Sequence, residues 1–158
     1  MNMQLTPHFN YTGKYDTIRC PCRRCRDDEE VRIDISILWV AEAIRAALNS
    51  RCREQDEIML KVNSGARCVK HHVDIYKKMG VAEDKIPYNS CHLIWPSKPV
   101  ATALEITPIS KLGIISTRQL LDEVDDMLGK DWPGGFHRYA TFFYIDLGGE
   151  KRRWPEKI

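Results

Sequence analysis

The chain has 158 residues, 43% of them hydrophobic and 29% charged, a length and balance that suit one compact domain over 1–158 and leave too little for two. Its 24 lysines and arginines nearly match 22 acids, for a formal charge of +2, so the electrostatic footprint of a dedicated nucleic-acid-binding module is missing. No apolar run approaches the roughly 20 residues that cross a bilayer, because even Ile33 to Val40 carries Asp34 and Ser36.

The N-terminal stretch MNMQLTPHFNYTGKY lacks the basic start, apolar run and cleavage site of a secretory signal, which predicts synthesis in a cytosol and thiols that stay reduced or hold metal. Six cysteines are present, and Cys20, Cys22 and Cys25 lie close together in RCPCRRC. Two readings stay open. With a fourth ligand from Cys52, Cys68 or Cys91 the trio makes a tetrahedral structural zinc site; without one it is three thiols in an early loop, a reading favoured by the lack of a second C-x-x-C. The charged run from Arg23 to Glu30 reads as a solvated loop with no binding role.

From Asp34, an N-cap, the apolar spacing of Ile37, Leu38, Ala41, Ile44, Ala47 and Leu48 predicts a helix. Ile58 to Val62 reads as a short buried strand leading into turn residues Asn63, Ser64 and Gly65. A second helix is expected from about Cys68 to Met79, stopped by Gly80. Pro87, Pro96 and Pro99 make the segment from Lys85 to Pro99 a loop or hairpin. A strand is expected from Val100 to Ile106, and then a helix begun by a capping box of Ser116 and Gln119 and stopped by Gly129. Thr141 to Leu147 is the strongest strand, and the tail packs through Trp154. Trp39, Trp95, Trp132, Tyr139, Phe142 and Phe143 are assigned to core or rim packing. This order predicts an α+β domain in which helices cover a small antiparallel sheet.

Three segments hold more polar residues than packing requires: VNSGARCVKHH, YNSCHLIWPSKPVATALEI and GGFHRYATFFYID. Together with a PHF start, a CPC element and a closing R-R-W, they resemble the zinc D-alanyl-D-alanine carboxypeptidases, the Hedgehog-like metallopeptidase fold, in the small single-domain form carried by many tailed phages. The resemblance runs along nearly the whole chain. It implies that Ser64, Gly65 and Arg67 match a turn that presents arginine to a substrate carboxylate, with Ala66 in place of an aromatic residue. Ser90 and His92 match the S-x-H that supplies the first zinc ligand, Ser90 standing with Ser64 and Arg67 at the substrate. The second ligand, an aspartate seven positions on in the family, corresponds to Glu105, thirteen positions after His92 and beyond a proline-rich insertion. The third is a histidine in the family and Tyr144 here; Asp146 matches the family's terminal acid, a candidate catalytic or ligand-orienting group.

A phenol must lose a proton of pKa near 10 before it binds metal well, whereas a neutral imidazole needs no such step. The expectation is therefore a degenerate zinc site of His92, Glu105 and Tyr144 that holds no zinc, with His137, His71, His72 or Cys91 as residues that would have to compensate. Cys91 is disfavoured if its segment is extended, since neighbours on a strand point to opposite faces. Two functions follow from the resemblance. One is a non-catalytic structural or binding component of a phage virion, with other particle proteins or the bacterial cell wall as partners, found in the virion or in the host cytoplasm before assembly or lysis. The alternative is an active zinc carboxypeptidase or endopeptidase, endolysin-like, that cleaves wall peptides.

Overall fold

The computed structural model describes residues 3–11, 17–25, 30–52 and 56–153. The expected contact through Trp154 and most of the acidic part of the charged run lie outside the described residues. A short hairpin opens the chain, β1 (Gln4–Thr6) with β2 (Phe9–Asn10), and packs on the first helix, where Thr6 Oγ1 donates to Glu42 Oε1 at 2.7 Å.

That helix, α1 (Ile35–Arg51), starts where its sequence predicts: Asp34 is the N-cap, its side chain accepting from the Ser36 amide at 2.9 Å. Ile37, Leu38, Ala41, Ile44 and Leu48 form its buried stripe. In β3 (Ile58–Ser64) every second residue from Ile58 to Val62 is buried, so the strand turns one face inward. Next come β4 (Arg67–Cys68), α2 (Val69–Lys78) ending at Gly80 with φ 76°, and the expected proline-rich loop, which contains the two-residue strand β5 (Leu93–Ile94). The chain continues through β6 (Ala103–Ser110), α3 (Thr117–Leu128) with its Ser116/Gln119 capping box, β7 (Gly135–Arg138), β8 (Phe143–Asp146) and β9 (Arg152–Arg153).

The main sheet runs in the order β3-β6-β8-β7-β9. The expected small antiparallel sheet is corrected in one respect: the sheet is mixed, because β9 joins β7 in parallel. A separate parallel pair joins β4 to β5. Leu60, Val62, Leu104, Ile106, Phe136, Phe143 and Ile145 share one cluster with the buried stripes of α1 and α3, so those helices cover one face of the sheet. Trp39, assigned from its sequence to packing, instead stands 55% exposed on α1. Among the described residues no helix is long and apolar enough to cross a membrane.

Candidate functional site

Because Leu104, Ile106, Phe143, Ile145 and Phe136 face the helices, the residues between them face the other way. Glu105 pairs with Tyr144 and Tyr144 with His137, which sets the three side by side across β6, β8 and β7. A bulge between Val62 and Ser64 brings Ser64 opposite Glu105 at the end of the same row. Asp146 lies two residues beyond Tyr144 on that face. The walls of the resulting cleft, about 300 Å³, come from Arg67, from Tyr76 on α2, from the turn through Ser90, Cys91 and His92, and from Tyr139 and Arg152.

Arg67 is buried, with Nε donating to Ser64 Oγ at 2.9 Å and Nη2 to Glu105 Oε1 at 3.0 Å. The same carboxylate oxygen lies 3.6 Å from His92 Nε2, a contact too long for a hydrogen bond. His92 Nδ1 is 2.6 Å from the Gly65 carbonyl, which can only accept, so Nδ1 carries the proton. Nε2 is thereby left as a buried lone pair with no hydrogen-bond partner, aimed into the cleft. Ser90 Oγ accepts from the His92 amide at 3.3 Å and so shapes the turn that carries it.

Burial, with the Arg67 charge beside it, lowers the His92 pKa below its usual 6.5 in spite of Glu105. Burial opposes the Glu105 charge, yet His92 and Arg67 hold its carboxyl below the usual 4.5. Both shifts act in one direction on stability. A depressed histidine leaves the unfolded chain binding protons that the folded chain refuses once pH falls below about 6.5, and a depressed carboxylate extends the loss as pH falls from about 4.5 through its folded value. Urea midpoints are therefore expected to decline on acidification from about pH 6.5, with the first part of the decline reduced in His92→Gln; a flat profile down to pH 5 would contradict this burial.

Tyr144 does not present its oxygen to the pair. Its hydroxyl donates to Asp146 Oδ2 at 2.5 Å, and its ring lies edge-on to His92 with centroids 5.5 Å apart. Asp146 is fully buried: Oδ1 accepts from the Gly135 and Gly148 amides at 2.9 and 2.8 Å, and Oδ2 also accepts from Arg152 Nη2 at 2.5 Å. Burial and the adjoining carboxylate push the Tyr144 phenol far above its usual range, so it stays protonated. A hydrolytic zinc does not fit this donor set. Glu105 is engaged by Arg67, Tyr144 keeps its proton, and His92 Nε2 alone is an available neutral donor.

None of the residues considered for compensation completes a triad, since among the described residues the only group of three or more histidine, cysteine or acidic side chains placed to share an ion lies elsewhere. His137 is on the far side of Tyr144 from Glu105, its ring edge-on to Tyr139 at 4.3 Å. His72 is buried, with Nε2 2.9 Å from the Pro87 carbonyl, and His71 neighbours it on α2. Cys91 departs from the strand argument: its segment is a turn, and its side chain lines the same cleft as His92, with Sγ 3.4 Å from Arg152 Nη2. Arg152 also belongs to the cleft, and its only sequence signal is the closing R-R-W.

The group placed to share an ion is Cys20, Cys22, Cys25 and Cys68, whose sulfurs all lie within 4.8 Å of one another. Of the three fourth members that the sequence leaves open, the fold selects Cys68. Cys25, within the run read as a solvated loop, is half-buried here. Crowding sets the thiols apart: burial raises Cys20 to about 11, whereas at Cys22 burial is outweighed by hydrogen bonds from Cys25, Cys68 and Cys20 that bring it to about 7. No family model, curated protein or solved structure matches the chain.

Proposed function

We propose that this chain is a non-catalytic binding or structural module, a degenerate relative of the zinc D-alanyl-D-alanine carboxypeptidases that keeps a peptide-sized cleft without its hydrolytic metal. The observation that carries the reading is the hydrogen bond from Tyr144 to Asp146, which ties up the residue at the third ligand position in its protonated form. Glu105 supports it from the other side, since its carboxylate neutralises Arg67. The cleft then offers a ligand one strong unmet acceptor, His92 Nε2, suited to an amide N–H of a short peptide. Following the resemblance, the setting proposed is a tailed-phage virion, with the bacterial wall or other particle proteins as partners.

Calorimetry with a D-Ala-D-Ala-terminated wall peptide, alongside chromatography of the same mixture with added zinc, tests this. Binding without cleavage is expected, with affinity falling at least tenfold in His92→Ala. Zinc-dependent cleavage that disappears in His92→Ala would replace this reading with the active peptidase, and absence of binding would remove the cleft from the function.

A further inference from the structure

We infer that Cys20, Cys22, Cys25 and Cys68 bind one structural zinc ion that clamps the segment 17–25 to the start of α2, an inference independent of how the cleft is read. Zinc bonded to four sulfurs at about 2.3 Å sets them about 3.8 Å apart. Cys22 and Cys68 are 3.6 Å apart, and no pair in the quartet exceeds 4.8 Å. A disulfide needs about 2.05 Å, and all four cysteines are free. Four thiolates leave no open coordination position, which marks a structural ion, and an all-sulfur tetrahedron selects zinc among the redox-inert divalent cations.

The surroundings suit the two net negative charges of such a centre. The Cys68 sulfur accepts from the His71 amide at 3.4 Å in the first turn of the ten-residue α2, whose N-terminus carries partial positive charge. Arg19, Arg23 and Arg24 in the same segment add positive charge. The clamp bears on the cleft through the backbone, because Cys68 directly follows Arg67, whose amide donates to the His92 carbonyl at 2.8 Å.

Metal analysis of the full chain, purified without chelators, should find about one zinc per chain, and cobalt exchanged into the site should show sulfur-to-metal charge-transfer absorption. Under native conditions Cys52 and Cys91 should react with a thiol reagent first, and the other four only together as zinc is released. Cys22→Ser and Cys68→Ser should lose the metal and Cys52→Ser should keep it. Six thiols reacting independently in a zinc-free protein, a quartet found as disulfides, or an iron-coloured protein would overturn the assignment. So would a cobalt spectrum of nitrogen and oxygen ligands alone, which points to the cleft. Should the serine variants fail to fold, the stoichiometry and cobalt spectrum of the parent chain still decide.

Discussion

Gly65→Ala is expected to destabilise the chain by about 3 kcal/mol, combining an overpacking cost with a lost buried hydrogen bond. A Cβ at Gly65 would stand 2.3 Å from the Ile18 carbonyl oxygen and 2.9 Å from its carbonyl carbon and Cα. These are backbone atoms of a fully buried residue and have no rotamer into which to retreat. Gly65 has no positive φ, so the requirement is for space and not for conformation. The displaced carbonyl is also the one that accepts from the Ala66 amide at 2.7 Å, and the Gly65 carbonyl holds the His92 ring. One methyl group thus pushes the cysteine-bearing segment off the turn that carries Arg67. A lower urea midpoint, with the quartet more reactive to thiol reagents, checks this. Gly149→Ala, where a Cβ would meet nothing within 4 Å, serves as the neutral comparison. A Gly65→Ala protein as stable as the parent would mean that Ile18 does not lie against this turn.

The same glycine shows what a sequence can convey. S-G-x-R identifies a turn, but the need for glycine arises from Ile18, which is 47 positions earlier and carries no pattern of its own. Elements with strong local signals are legible: α1 from its apolar stripe and N-cap, α3 from its capping box and glycine stop, β3 from its short apolar run, β8 from its aromatic and β-branched run. The strand expected at Val100 to Ile106 lies at Ala103–Ser110 and so runs through Pro108. Proline argues against a central strand, yet β8 pairs with β6 only from Ala103 to Ile106, so beyond that point β6 has an edge where the missing N–H is not needed. β4, β5 and β9 have two residues each and carry no period at all. They are placed by their partners.

The site divides along the same line. Ser64, Arg67, His92, Glu105 and Tyr144 could be named from motifs, because each motif is local. Which of them engage one another could not, since this depends on register across three strands. The Glu105 carboxylate meets Arg67 at 3.0 Å while staying 3.6 Å from His92, and no spacing rule reports that. Cys68 likewise joins Cys20, Cys22 and Cys25 because β4 passes beside their loop, a juxtaposition that C-x-C-x-x-C does not encode.

Tyr144→His is expected to raise metal content by about one zinc ion per chain, held in the cleft, beyond any held by the cysteines. At pH 7 a phenol of ordinary pKa 10 must give up about 4 kcal/mol, roughly a thousandfold in affinity, merely to become a ligand, and its burial beside Asp146 adds to that penalty. An imidazole removes the term entirely. The substituted ring would stand between Glu105 and His137 in the sheet row and next to His92, whose Nε2 already lacks a partner. Zinc bound by Glu105 would also draw it away from Arg67, freeing the guanidinium for an incoming carboxylate. The second ion should vanish when His92→Ala is added, which separates it from the cysteine site, and Cys22→Ser should leave it in place. Micromolar zinc binding with these dependencies would mean that the side chain at position 144 decides whether the cleft can hold zinc. An unchanged metal content would mean that Glu105, held by Arg67, is not placed to share an ion with His92 and an imidazole at position 144.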